Sequence, residues 1–236
     1  MKNYIKEQVS KLHINLSDKK CEQFVQFYNM LIEYNSKCNL TSITDFEDVV
    51  LKHFVDSLSI VNIIDMNSEC TVVDVGTGGG FPGIPLKIAF PTIKLTMIDS
   101  LDKRITFLNN AIKELSLFNT CAIHTRAEEY GHTKARDSFD ICVTRAVSNL
   151  SVISEYCLPL VKPGGCFIPY KSGAIKEEID KYEIAVEELG GVIDDVAIFE
   201  LPDSDIMRSL CLIYKDGDTP KKYPRKNGIP LKRPLM

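Results

Sequence analysis

The reading of the fold turns on Thr71-Val72-Val73-Asp74-Val75-Gly76-Thr77-Gly78-Gly79-Gly80-Phe81-Pro82-Gly83. Four β-branched residues and Asp74 run into a glycine-dense loop, and the helical stretch GIPLKIAF follows, so the segment reads as strand, loop, helix. Glycines at such a junction let the backbone take positive φ and let a ligand approach main-chain atoms closely. In a doubly wound α/β sheet, this first strand-to-helix turn lies at the ligand-binding crevice beyond the strand C-termini.

Outward from this loop, β-rich runs alternate with helical ones. KLTMID, LDKRITFLNNAIKELSL and CAIHT follow, then FDICVTRA, a helix near Asn149 to Val161, GGCFIPYK, a helix near Ala174 to Leu189, VIDDVAIFEL and SLCLIYKD. Seven strand candidates with helices between them predict one doubly wound, Rossmann-like α/β sheet. Only the last two strands lack an intervening helix, so they are expected to form an antiparallel hairpin across Pro202 to Arg208. That ending suits a seven-stranded methyltransferase-type sheet.

Upstream, the first 66 residues read as helical. Ser17 caps a helix from about Asp18 to Ser36, with Cys21, Phe24, Phe27, Tyr28, Leu31 and Tyr34 near one face. Thr44 and Glu47 have capping-box spacing, and a second helix is expected to run on to about Ile64. The expected division is a helical region over 1–66, a cofactor-binding domain over 67–219 and a basic, proline-rich tail over 220–236.

Composition narrows the function classes. The start, MKNYIKEQVSKLHINLSDKK, has no uninterrupted apolar stretch, which predicts neither export nor a membrane span and places the chain in the cytoplasm. The eight cysteines form no CxxC pair and the four histidines lack ligand spacing, so buried free thiols and no metal are expected. Net charge is −4, but the tail carries six basic and no acidic residues, leaving the body at −10. An acidic body argues against general nucleic-acid binding, whereas the tail offers a local basic segment for phosphate. Its four prolines disfavour a helix and predict an extended, weakly ordered arm, whose deletion should leave cofactor affinity unchanged.

The loop chemistry selects the cofactor. Counting G-x-G-x-x-G from Gly76 places Phe81 where the third glycine of a dinucleotide site belongs. D-x-G-x-G-x-G fits from Asp74 to Gly80, consistent with S-adenosylmethionine, which has no pyrophosphate to bind. Asp74 would face its cationic end, alongside Gly76, Gly78 and Gly80. Asp99, ending the second strand, stands where a carboxylate accepts from both ribose hydroxyls. Arg126-Ala127-Glu128-Glu129 makes a polar break where adenine would lie.

Several separated segments then carry a specific resemblance: DVGTGGGFPGIPLKIAFP, IDSLDKRITFL, RAEEY, TRAVSNL, NLTSITDFEDVVLKHFVDSLSI and TPKKYPRKNGIPLKRPL. Together they resemble the bacterial small-subunit rRNA guanine-N7 methyltransferases, the glucose-inhibited division protein B family, over nearly the whole chain. The resemblance implies S-adenosylmethionine contacts at Gly76, Phe81, Ala127, Glu128 and Arg145, and methylation of one guanine of 16S ribosomal RNA, guanine 527 in the family. The family often has Trp where this chain has Tyr34.

The residues agree with that chemistry by what they lack. The place after the fourth strand, Thr144-Arg145-Ala146-Val147, holds no [D/N]-P-P-[Y/F] element for an exocyclic amine, and Cys142 lies within a strand run rather than in a nucleophile loop. Guanine N7 presents a free lone pair and needs alignment more than a general base. Arg145 is the candidate nearest the reacting centre. Lys171, His53, Arg225 and Lys226 are candidates for RNA contact, and Asn39, Asp56 and Ser57 share the family-like helical motif. The 16S RNA or the small ribosomal subunit is the expected partner of a monomer. Methylation of another RNA or a small molecule, an NAD-dependent oxidoreductase and a noncatalytic RNA-binding module remain the alternatives.

Overall fold

A computed structural model of the chain describes residues 1–145 and 148–236. Ala146 and Val147, part of the segment that bears on the exocyclic-amine alternative, lie outside the described residues. Seven strands form one sheet in the order β3-β2-β1-β4-β5-β7-β6. They are β1 (Thr71–Val75), β2 (Lys94–Asp99), β3 (Thr120–His124), β4 (Phe139–Arg145), β5 (Val161–Ser172), β6 (Gly191–Glu200) and β7 (Met207–Lys215). Strands β1 to β5 pair in parallel, and β7 lies antiparallel between β5 and β6. The chain order reverses where β1 meets β4, which opens the crevice expected of a doubly wound sheet.

Period-2 alternation sends side chains to two cores. Val72, Leu95, Met97, Ile141, Val143, Ile168 and Leu212 face one layer of helices, while Val73, Ile98, Cys142, Phe167, Cys211 and Ile213 face the other. The first layer holds α1 (Lys2–Ser10), α2 (Asp18–Cys38), α3 (Phe46–Val49), α4 (Asp56–Leu58), α5 (Gly83–Ala89) and α6 (Asp102–Glu114). The second holds α8 (Leu150–Cys157) and α9 (Lys176–Glu188), with α7 (Ala127–Tyr130) between β3 and β4.

Ser17 caps α2 through its side chain, which accepts from Lys20 N, and Cys21, Phe24, Phe27 and Leu31 are buried along one stripe. The next helix starts one residue later than the capping-box spacing predicts. Asp45 is the cap, accepting from Glu47 and Asp48 N at 3.0 and 3.1 Å, while the Thr44 carbonyl is occupied by the Tyr28 hydroxyl. The helix is also not uniform: Val50–Val55 is a π-turn between α3 and α4, followed by a 3-10 turn over Ser59–Asn62. Such bulges re-aim side chains and are common at functional sites.

The tail differs most from its sequence expectation. It is docked, with Tyr223, Pro224 and Pro230 buried, and it contains a short helix, α10 (Ile229–Lys232). Pro230 falls in the first turn, where its missing N–H costs nothing. Five of the eight cysteines are buried, Cys38 and Cys70 are half-buried, and Cys121 is exposed. No helix among the described residues is long and apolar enough to cross a membrane.

Candidate active site

The glycine loop is built around two carboxylates. Gly76, Gly78 and Gly80 have φ of 71°, 59° and 92°, the left-handed region that a side chain would strain. Asp74, fully buried, clamps the loop: its Oδ2 accepts from the Thr77 hydroxyl at 2.6 Å and from Gly83 N at 2.9 Å. Gly83 has to be glycine here, because a Cβ would sit 2.9 Å from that oxygen. Burial pushes the Asp74 carboxyl up to about 6, against the opposing pull of its two hydrogen bonds. Its Oδ1 is buried without a protein partner.

Asp99 holds the loop from the neighbouring strand. Its carboxylate accepts from Gly78 N at 2.9 Å, Leu101 N at 2.9 Å and Arg104 Nη1 at 3.0 Å. The Arg104 partner was not legible in the motif. Beside Asp99 lies a cleft of about 180 Å³ lined by Val75, Gly76, Ile98, Asp99, Ser100, Thr125, Arg126, Ala127, Glu128, Tyr156, Asn227 and Leu231. Gly76, Asp99, Ala127 and Glu128 therefore converge on one concavity, whereas Asp74, Gly78, Gly80 and Phe81 do not line it, and Phe81 packs instead against His53 and Arg145. Burial and the adjacent Glu128 carboxylate drive the Tyr156 phenol well above its ordinary value, so it is a neutral donor.

Arg145 lies elsewhere. It ends β4 and lines a second cleft, of about 490 Å³, with Ile43, Lys52, His53, Asp56, Ser148, Tyr170, Lys171, Ser172 and Arg208. The two clefts share no lining residue but lie at the ends of neighbouring strands, with Val75 of β1 lining the first and Arg145 of β4 the second, and the Thr144 hydroxyl donates to Val75 O at 2.7 Å. Asp56 organises the second cleft. Its two oxygens accept from Arg145 Nη1 at 2.8 Å and Arg208 Nε at 2.9 Å, and the carboxylate side chain is only 5% exposed. The Arg145 guanidinium also lies 5.1 Å from the Phe81 ring, on which the His53 imidazole stacks at 4.4 Å.

His53 Nδ1 lies 3.2 Å from Arg145 Nη2 and 3.1 Å from Lys52 O, and its Nε2 lies 2.8 Å from Thr41 Oγ1. Burial first, and then the Arg145 charge, depress His53 to about 3. It is neutral at physiological pH and is held by hydrogen bonds at both nitrogens. The π-turn delivers Lys52 and His53 to this cleft together. Ser57 packs behind it, its carbonyl accepting from the Tyr170 hydroxyl at 2.7 Å, while Asn39 serves as the left-handed C-cap of α2.

The remaining candidates separate. Lys171 lines the second cleft but donates to Ser148 O at 2.7 Å and Glu178 Oε1 at 2.9 Å. Arg225 forks onto Glu155, whose side chain is fully buried, with Nη2 to Oε2 at 2.6 Å. That guanidinium is thereby turned inward, and the expected phosphate contact at Arg225 gives way to a structural ion pair. Lys226 stays exposed. Among the described residues, no group of three His, Cys, Asp or Glu side chains is arranged to hold a metal ion.

The family described as rRNA small subunit methyltransferase G matches residues 20–207. The chain is 50% identical to the ribosomal RNA small subunit methyltransferase G of Lachnoclostridium phytofermentans, over 95% of this chain and 93% of the relative. It is 49% identical to the enzyme of the same name from Staphylococcus saprophyticus, over 99% and 98% of the two chains. Among solved structures it is similar in fold to M. jannaschii TYW2 in complex with AdoMet, with a TM-score of 0.55 at 15% identity over 75% of this chain and 78% of that one. A 16S rRNA adenine-N1-methyltransferase from Catenulisporales acidiphilia, crystallised with SAM, aligns with a TM-score of 0.51 at 16% identity over 64% and 87%.

Proposed function

The chain belongs to the rRNA small subunit methyltransferase G family, and on that premise we propose that it transfers a methyl group from S-adenosylmethionine to N7 of one guanine in 16S ribosomal RNA, in the cytoplasm. The observation that carries the reading is the pairing of two clefts at neighbouring strand ends. One is lined by Asp99, Ala127 and Glu128, and the other is a larger cavity walled by Lys52, Arg145, Lys171 and Arg208.

The residues of the smaller cleft fit the nucleoside part of S-adenosylmethionine. Asp99 has a carboxylate at the cleft wall for the ribose hydroxyls, Ala127 and Glu128 border the base, and the positive-φ glycine loop leaves main-chain atoms open to approach. The unpartnered Asp74 Oδ1 supplies negative potential beneath the loop. When bound, the cofactor supplies a methyl group on a positively charged sulfur.

The protein's own part is orientation and charge placement. Arg145 and Arg208, fixed by Asp56, present cationic edges without rotamer freedom, which lowers the ordering cost of binding an anionic backbone. Lys52 and Lys171 also line the cleft, each held by a carboxylate, Asp48 at 2.8 Å and Glu178 at 2.9 Å. His53, already neutral and hydrogen-bonded, stacks on Phe81 and keeps that ring beneath Arg145. No side chain need remove a proton, because N7 carries its lone pair at neutral pH, and catalysis rests on proximity.

Small ribosomal subunits incubated with methyl-labelled S-adenosylmethionine should acquire label in 16S RNA that digests to N7-methylguanosine. Label on an exocyclic amine, or only in a small molecule, would overturn the assignment.

A further inference from the structure

The tail is stitched to the body by anchors that do not belong to a loose RNA-binding arm. Glu155 receives Arg225 N at 2.7 Å, Nε at 2.9 Å and Nη2 at 2.6 Å. His132 donates to Pro224 O at 2.7 Å, and Arg136 donates to Tyr223 O at 2.8 Å. Pro224 packs so closely on Gly131 that a Cβ there would come within 2.7 Å of it. His132 and Gly131 follow directly after α7, the turn that carries Ala127 and Glu128. The tail is therefore registered against that wall of the nucleoside cleft.

From these anchors the chain crosses the cleft. Gly228 N donates to Glu128 Oε1 at 3.3 Å, and Asn227 and Leu231 line the cleft together with Asp99. Leu231 lines the cleft and is 59% exposed, so its apolar side chain is accessible to a ligand there. The Asn227 amide lies beside it; its Oδ1 accepts from Arg126 Nη1 at 3.4 Å and keeps a second lone pair, and its NH2 is a donor, so the side chain can present the donor and acceptor that an adenine edge requires.

We propose that residues 225–231 form the outer wall of the S-adenosylmethionine site, with Leu231 covering the adenine face, Asn227 reading its edge, and Arg225 acting as a positioning residue through Glu155. The proposal rests on the reading of the smaller cleft as the cofactor site. It reassigns the tail from phosphate binding to cofactor binding, so that cofactor affinity is no longer independent of it. Because coupling between sites is reciprocal, the bound cofactor also steadies the tail.

The test is calorimetric titration of S-adenosylmethionine into the full chain and into the Asn227→Ala/Leu231→Ala double variant, which leaves the anchors at Glu155, His132, Arg136 and Gly131 and every tail cation in place. Loss of one hydrogen bond and one apolar contact should weaken binding roughly tenfold or more, and Arg225→Ala should act in the same direction. The cofactor should also slow tryptic cleavage at Lys226 and Lys232 in the full chain. Binding of 16S RNA to the double variant, measured without cofactor, should be unaltered. A full chain that binds no S-adenosylmethionine overturns the reading of the cleft itself. A full chain that binds it, with unaltered affinity in the double variant and no protection from trypsin, overturns the role of the tail alone.

Discussion

Replacement of Asp56 by alanine removes one carboxylate that fixes two guanidiniums, at 2.8 Å from Arg145 and 2.9 Å from Arg208. The side chains of the three residues are 5%, 13% and 25% exposed, so little water is available to take over. Breaking a buried pair by deleting one partner costs roughly 3–5 kcal/mol. Arg145 keeps the Lys52 carbonyl and His53 Nδ1, and Arg208 keeps the Met207 carbonyl. The lower end, about 3 kcal/mol, is therefore expected, with a fall in Tm of roughly 6–12 °C for a chain of this size. Urea unfolding of Asp56→Ala, Arg208→Ala and the double variant gives the coupling directly, expected at about 1–2 kcal/mol for contacting charged groups. A loss below about 1 kcal/mol, or strictly additive single effects, would refute the view that Asp56 is what holds the second cleft in shape.

Asp99→Ala, which removes the carboxylate at the cleft wall, should weaken S-adenosylmethionine binding by about 1–3 kcal/mol, and unaltered affinity in a folded variant would take Asp99 out of the site. Asp74 has a carboxyl raised from 3.8 to about 6, so its contribution to stability is complete below pH ~4 and disappears as pH rises through about 6, a change on the order of 3 kcal/mol. Asp74→Asn should lack that component when urea unfolding is followed from pH 4 to 7, and parallel curves for the two proteins would contradict the burial argument. His53 shifts the other way, from 6.5 to about 3: its contribution is present above pH ~6.5 and declines as pH falls toward about 3. His53→Gln should flatten the acid side of the stability curve, and single-turnover methyl transfer should show no histidine titration between about pH 6 and 8.

The fold was legible because its signals are local. TVVDV, KLTMID, FDICVTRA and GGCFIPYK each declare a buried strand, and the glycine loop marks the crevice through backbone freedom alone. Asp99 was legible for the same reason, as the carboxylate ending the second strand. The π-turn was not, since a helical hydrophobic period does not distinguish one hydrogen-bond spacing from the next. Nor were the partners of Asp56, which lie 89 and 152 residues away in sequence.

The tail misled because six cations and four prolines dominate its composition. The signal that would have corrected it stands in another element. Every residue of α8, LSVISEYC, is buried, and Glu155 is its one charge. A lone carboxylate in a wholly buried helix demands a buried cation, and Arg225 meets that demand.

The position of Asn227 and Leu231 on the cleft wall also fixes an order of events during synthesis. Strand β7 enters the sheet between β5 and β6, so the sheet has all its strands once residue 215 has emerged. The cleft at the far end of that sheet acquires its outer wall only after another dozen or so residues, Asn227 among them, have left the ribosome. A nascent chain therefore passes through a stage in which its core is built and its cofactor cleft is still open on one side. If residues 225–231 wall the cofactor site as proposed, ligand capture is deferred until translation has passed Leu231, and a frameshift within that short interval removes the wall together with the cation that pairs Glu155.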